Sequence, residues 1–264
     1  MEGRDGELKE ASVASPEETR TQRYGPLPSQ TIEWVGLSQP RRPILLVAIH
    51  GGFWRAAYGL ETLRPFCAAL AERGFTVASL EYRRLGEPGG GWPGTLEDVQ
   101  LGCASLGAAA QAYGLSFSGA LPVGHSAGGH LALWAASRAR SLGSLPWVGC
   151  VGLAAVTDLV EASRLNLSAG VVRDFLGGAP EEVPSRYREA SPVELLPTGL
   201  PTVLVHGTQD ADVPYALSPA YVQRARAVGD AARLVRLQGG THFDVIEPTS
   251  AFWPEVVEVL ESFG

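Results

Sequence analysis

The sequence predicts an α/β chain with a mostly parallel central sheet and helices on both of its faces. Short apolar runs rich in Val, Ile and Leu alternate with longer stretches of helical spacing. Several of these runs are apolar at consecutive positions, as strands buried on both faces require. Such βαβ alternation needs crossover helices that cover the sheet. With 264 residues, 45% of them apolar, the chain is long enough for one such domain and short for two.

Residues 1–28 carry few large apolar side chains and read as a polar, flexible arm ahead of a single domain at 29–264. Strand-like runs fall at 31–35, 44–49, 75–80, 120–123, 148–155, 202–205 and 233–237. Helical candidates lie near 60–73, 95–112, 127–140, 218–228 and 251–262. Gly74 follows the first of these as a stop signal, and Pro201 precedes a strand where it breaks no ladder. The stretch 158–200 interrupts the rhythm with Pro180, Pro184, Pro192, Pro197 and a short helical piece at 169–176. It reads as a small insertion over one end of the sheet, acting as a lid or pocket wall.

The net charge of −7 and the scattered arginines argue against a nucleic-acid partner, which calls for a basic patch. Cys67, Cys103 and Cys150 are too few and too far apart for a disulfide framework or a zinc site. The polar, acidic start is not a secretory leader, and no apolar run is long enough to span a membrane. A cytoplasmic setting is the expectation. A small-molecule substrate is the expected partner, and a homodimer is allowed.

Four motifs sit at the ends of strand-like runs. Gly124-His125-Ser126-Ala127-Gly128 matches G-x-S-x-G, in which a serine occupies a sharp turn from strand to helix. In a chain with 32 glycines the pattern alone is weak, but the run 120–123 enters it and an apolar helical stretch leaves it. Ser126 is the expected nucleophile. His50-Gly51-Gly52-Phe53-Trp54 follows the run 44–49, where a glycine pair lets the backbone approach an oxyanion. The N–H groups of Gly52 and Phe53, with that of Ala127 after the nucleophile, are the expected oxyanion donors. His206-Gly207-Thr208-Gln209-Asp210-Ala211-Asp212 follows the run 202–205 and offers a carboxylate to orient an imidazole. Asp210 is favoured over Asp212 because it lies nearer the strand end; Asp212 is expected to cap or pin the turn. Gly239-Gly240-Thr241-His242 follows the run 233–237 and supplies the general base. The order Ser, Asp, His is that of the α/β-hydrolases.

The remaining histidines have blander readings. His125 and His130 are too close in sequence to Ser126 to serve it as base, and His50 and His206 read as hydrogen-bonded supports at strand ends. No pair has metal-ligand spacing, so neither metal nor cofactor is expected. Residues 89–94 satisfy G-x-G-x-x-G but lie well beyond the preceding strand and lack the acidic residue a dinucleotide site needs.

With these motifs the chain resembles the α/β-hydrolase superfamily over about residues 24–263. More narrowly, it is similar to the kynurenine formamidase (arylformamidase) and small carboxylesterase branch. The narrower likeness rests on His50-Gly51-Gly52-Phe53-Trp54, on Gly124-His125-Ser126-Ala127-Gly128-Gly129-His130-Leu131-Ala132 and on His242-Phe243-Asp244-Val245-Ile246-Glu247. The resemblance implies an α/β-hydrolase fold and Asp210 as the acid of a Ser126–Asp210–His242 triad. It also implies hydrolysis of a small ester or formamide through an acyl-enzyme, with N-formylkynurenine as the leading substrate. Short-chain or aryl esters are the alternative, and a non-catalytic binding module on this fold is the remote one. Trp54, Tyr58, Trp92 and Phe243 are the expected aromatic pocket walls, and Arg55 the expected partner of a substrate carboxylate.

Overall fold

A computed structural model describes residues 19–38, 41–143 and 145–264 of the chain. Among the described residues, eight strands form one mixed sheet: β1 (Thr19–Arg23), β2 (Thr31–Val35), β3 (Ile44–Ile49), β4 (Thr76–Leu80), β5 (Gly119–His125), β6 (Cys150–Leu153), β7 (Thr202–Gly207) and β8 (Ala232–Leu237). Their order across the sheet is β1-β2-β4-β3-β5-β6-β7-β8. The pairs β1–β2 and β2–β4 are antiparallel, and every pair from β4 to β8 is parallel. This is the α/β-hydrolase fold that the strand-end motifs imply.

The central strand β3 shows why the sheet is covered on both sides. All six of its residues are buried, and they alternate between two cores. Leu45, Val47 and Ile49 face one, while Ile44, Leu46 and Ala48 face the other. On the second face lie α1 (Arg64–Glu72) and α8 (Trp253–Glu261), through Phe66, Leu70, Trp253, Val256 and Leu260. On the first lie α2 (Gly94–Ala112), α3 (Ala127–Ala136) and α7 (Leu217–Ala227). Each large apolar side chain buried in this way stabilises the fold by about 1.5–3 kcal/mol, so the sheet's register is tied to its alternation.

Two segments fold differently from the sequence reading. The sheet begins at Thr19, inside the segment read as an arm, where the strand Thr-Arg-Thr-Gln-Arg pairs Arg23 with Thr31 and Thr19 with Val35. An edge strand carrying polar residues gives no apolar run to find, because backbone pairing alone defines it. The rest of the arm, residues 1–18, lies outside the described residues. The insertion between β6 and β7 folds as α4 (Leu159–Arg164), α5 (Leu167–Leu176) and α6 (Pro184–Ala190). Its Leu159, Val171, Val172, Phe175 and Tyr187 are buried in the first core.

No helix among the described residues is long and apolar enough to cross a membrane. Cys67, Cys103 and Cys150 are free and buried. Burial pushes the Cys67 and Cys103 thiols up to about 12, so neither offers a thiolate near neutral pH.

Candidate active site

Ser126 stands between β5 and α3 with φ 56° and ψ −119°. A non-glycine residue held in this region costs on the order of 1–3 kcal/mol, and the surrounding backbone enforces it. The Ser126 N–H donates to Leu153 O at 2.8 Å, and the His130 N–H donates to Ser126 O at 3.1 Å. A Cβ on Gly124 would lie 2.0 Å from Gly128 O, and one on Gly128 would lie 2.0 Å from Ile49 O. Both motif glycines are therefore demanded by backbone contact, which the bare pattern could not reveal.

The loop after β3 packs directly against the serine. A Cβ on Gly51 would lie 2.9 Å from His125 O and 3.0 Å from Ser126 Cβ. The loop then runs through positive φ at Gly52 (98°), Phe53 (53°) and Trp54 (56°). The N–H groups of Gly52, Phe53 and Ala127 donate to no described residue, which leaves them available to an oxyanion.

This strained loop is fastened from behind. Trp54 is fully buried, stacks on Phe175 with centroids 4.6 Å apart, and donates its indole N–H to His130 Nδ1 at 3.2 Å. The Arg55 guanidinium donates to Ser168 Oγ at 3.0 Å and to Ser168 O at 2.9 Å. His50 has Nδ1 2.8 Å from Gly51 O and Nε2 2.9 Å from Glu81 Oε1, while Tyr82 Oη–H donates to His50 O at 2.9 Å. Burial favours the neutral form of Glu81, but the His50 hydrogen bond and the charges of His50 and Arg84 outweigh it and hold the carboxyl below its ordinary range.

Asp210 and His242 come from the loops after β7 and β8. These loops are sewn together: Thr208 N–H donates to Leu237 O at 3.0 Å, and Gln209 N–H to Gly240 O at 2.9 Å. His242 Nδ1 lies 2.7 Å from Asp210 Oδ2. Donation of Nδ1–H to that carboxylate leaves Nε2 as the basic atom. His206 Nε2 lies 3.0 Å from the same oxygen and 3.1 Å from Val213 O, and Ser218 Oγ is 2.7 Å from His206 Nδ1. Asp210 Oδ1 accepts the N–H groups of Asp212 (2.9 Å) and Val213 (2.8 Å). Burial opposes ionisation of Asp210, yet the hydrogen bonds from His206 and His242 dominate and hold it far below the ordinary carboxylate range.

His125 and His130 are buried supports. His125 Nε2–H donates to His242 O at 3.0 Å, and the two rings lie 4.6 Å apart. Burial, reinforced by the neighbouring His242, pushes His125 down to about 3. His130 Nε2–H donates to Ala190 O at 3.0 Å, and burial pushes it down to about 4. Both rings are neutral at ordinary pH.

Ser126 and His242 open onto one pocket of about 200 Å3, lined also by Gly51, Gly52, Phe53, Tyr58, Thr62, His125, Asp212, Phe243 and Ile246. No hydrogen bond joins Ser126 to His242 in this conformation; such contacts commonly tighten only when substrate is bound. Larger hollows of about 360 and 400 Å3 elsewhere contain none of the three residues. The structure thus brings Ser126, His242, Gly52, Phe53, Tyr58 and Phe243 to one cavity, with Asp210 behind His242.

Trp54, Arg55 and Trp92 do not line the pocket. Trp54 is turned into the core, Arg55 is bonded to Ser168, and Trp92 packs partly buried against the core. Nor does any residue of 158–200 line it; that segment backs the loop after β3 instead, through Phe175 against Trp54. The turn at Asp210 is pinned by Asp210 itself, while the Asp212 side chain makes no hydrogen bond and faces the pocket. Thr62 and Ile246 also line the pocket, and neither carries a residue-type signal for a pocket wall. Glu81 gives no local signal either, and its link to His50 across 31 residues is visible only in the fold. Oxygen and nitrogen atoms of Asp210, Asp212 and His242 lie within 4.8 Å of one another, a spacing a divalent cation can bridge. Four hydrogen bonds already occupy both oxygens of Asp210.

Comparison with known proteins places this geometry in a family. Among solved structures, a truncated carbohydrate esterase from gut microbiota superposes with a TM-score of 0.79 at 20% identity, covering 96% of this chain and 98% of that one. Inhibited esterase B from Lactobacillus rhamnosis gives 0.79 at 21%, covering 96% and 89%. At these identities the likeness is one of fold. In sequence, the chain is 28% identical over 245 residues to esterase LipC of Mycobacterium tuberculosis (strain ATCC 25618 / H37Rv), covering 85% of this chain and 59% of that protein. The chain spans 45–59% of the length of the curated relatives it matches. Residues 38–224 match the BD-FAE family, well over half of the chain, and the protein belongs to that family.

Proposed function

We propose that this protein is a serine carboxylic ester hydrolase acting on small, uncharged acyl groups. The observation that carries the reading is that Ser126, His242, Gly52 and Phe53 line one small pocket, with Asp210 bonded to His242 from behind and the N–H groups of Gly52, Phe53 and Ala127 unpaired among the described residues. Ser126 Oγ attacks the ester carbonyl while His242 Nε2 takes its proton. Asp210 holds the tautomer and balances the imidazolium. The free N–H groups receive the developing oxyanion, and His242 then protonates the departing alkoxide. Water, activated by His242, releases the acid from the acyl-enzyme.

The esterase reading is preferred to the formamidase one for a structural reason. N-formylkynurenine carries a carboxylate, and Arg55, the cation expected to meet it, donates to Ser168 away from the pocket. Relatives described as esterases, among them LipC and esterase B, support the same choice. The test is kcat/KM for p-nitrophenyl acetate and butyrate against N-formylkynurenine. Turnover of the esters at least about 100-fold above the formamide is expected, and preferential turnover of the formamide contradicts the reading.

A further inference from the structure

The pocket mouth has a charge, and it is negative. Among the described residues that line the cavity there is no Arg or Lys, and apart from the histidines and Tyr58 the ionisable side chain is Asp212. Asp212 is exposed, and its carboxylate accepts no hydrogen bond and meets no cation. Arg84 and Arg55, in the loops after β4 and β3, are engaged elsewhere: Arg84 with Glu81 and Glu87, and Arg55 with Ser168. One Asp212 oxygen lies within 4.8 Å of a His242 ring nitrogen. His242 must protonate the leaving oxygen, and Asp212 lines the pocket beside it. Two exposed aromatic rings flank the same mouth, Tyr58 (47% exposed) and Phe243 (60% exposed). A free carboxylate beside aromatic faces is the chemistry that attracts an organic cation and repels an anion.

We propose that Asp212 is a specificity-determining residue that ranks esters by the charge of the leaving alcohol, favouring a cationic group over a neutral one and a neutral one over an anionic one. This rests on the esterase reading of the same site and deepens it. A unit charge several ångströms from an exposed carboxylate feels a few-fold effect in a water-rich mouth, so swapping cation for anion spans about tenfold.

The experiment uses three acetates of similar size: 3-acetoxy-N,N,N-trimethylanilinium, 3-methylphenyl acetate and 3-acetoxybenzoate. Each kcat/KM is divided by that ester's own hydroxide-catalysed rate, so that leaving-group reactivity cancels. In the wild-type protein at low ionic strength the cation-to-anion ratio is expected to be about tenfold or more, falling several-fold in 0.5 M NaCl as screening shortens the field. Asp212→Asn should bring the ratio to within about threefold, and Asp212→Glu, which keeps the charge, should restore it. Any effect of Asp212 on His242 itself is common to all three esters and drops out of the ratio. A wild-type ratio near one, or a ratio unchanged in Asp212→Asn, overturns the proposal while the esterase reading stands. Failure of the wild-type protein to cleave even the neutral acetate overturns both.

Discussion

His206 and His242 approach one oxygen of Asp210 from two sides: Oδ2 lies 2.7 Å from His242 Nδ1 and 3.0 Å from His206 Nε2. The two rings play unlike parts. His242 lines the pocket, whereas His206 is fully buried, its other nitrogen met by Ser218 Oγ. Because Asp210 Oδ2 and Val213 O both accept, His206 must carry its proton on Nε2. His206 is thus a positioning residue that fixes the carboxylate on which His242 turns.

Removing that support should therefore show in turnover more than in binding. His206→Ala deletes a hydrogen bond to a buried carboxylate, an interaction of about 1.5–3 kcal/mol. A fall in kcat of about 10- to 150-fold with KM within twofold is expected, measured with p-nitrophenyl acetate. His206→Gln, whose amide can still donate, should recover part of the loss. Equal kcat in wild type and His206→Ala contradicts the role.

Asp210→Asn should lower kcat by about 10^4, since an amide whose oxygen stays on the Asp212 and Val213 N–H groups turns its NH2 to His242 and selects the wrong tautomer. The same variant tests a stability effect. Asp210 is held far below its ordinary value in the folded chain, so its contribution is complete above the unfolded carboxylate range and is lost as pH falls through the folded value. Urea unfolding between pH 6 and pH 2 should show a shallower acid decline in Asp210→Asn than in the wild type.

His125 and His130 give acid sensitivity a second source. Their folded values, about 3 and about 4, lie below the ordinary 6.5, so the unfolded chain binds protons first as pH falls. Stability is then fully present above pH 6.5 and declines below it, by about 1.4 kcal/mol per pH unit for each ring until its folded value is reached. His130→Gln can keep the bonds to Trp54 and Ala190 without titrating. It should reduce the slope of unfolding free energy between pH 6 and pH 4.5 by about half of the histidine contribution. An unchanged slope contradicts the assignment of a neutral His130.

Two glycine substitutions should separate folding from catalysis. At Gly128 a Cβ would meet Ile49 O at 2.0 Å and His50 O at 2.3 Å, so Gly128→Ala should fail to fold or lose several kcal/mol. At Gly51 the contacts are less severe, 2.9 Å to the His125 backbone oxygen and 3.0 Å to Ser126 Cβ, so the loop must move away from the serine to admit a methyl group. Gly51→Ala should remain folded by circular dichroism yet lose about 10^2 in kcat, the cost of a misplaced oxyanion donor. Full activity in Gly51→Ala contradicts the placement of the oxyanion loop.

The legible parts of this site were those written locally. Ser126, the Gly51–Gly52 pair, Asp210 and His242 each follow a strand-like run, and parallel strands bring their ends together without further information. The fully buried β3 was visible as six consecutive apolar residues, while β1, with only polar side chains at the sheet edge, was not. Side-chain direction was the harder matter. Trp54 and Arg55 sit beside Phe53 in sequence, but positive φ at Phe53 and Trp54 turns them toward Phe175 and Ser168. Asp210 and Asp212 compete in the sequence for the place beside the imidazole, and the 2.7 Å contact of His242 Nδ1 with Asp210 Oδ2 decides it, while the turn expected of Asp212 is pinned by Asp210 Oδ1.

The most direct test of the central claim is covalent labelling of the nucleophile. The wild-type protein is treated with a fluorophosphonate probe at pH 7.5, and the adduct is read by intact mass and located by peptide mapping. One adduct per chain on Ser126 is expected, absent in Ser126→Ala and formed far more slowly in Asp210→Asn. An adduct on another residue, or equal labelling of Ser126→Ala and the wild type, would contradict Ser126 as the nucleophile.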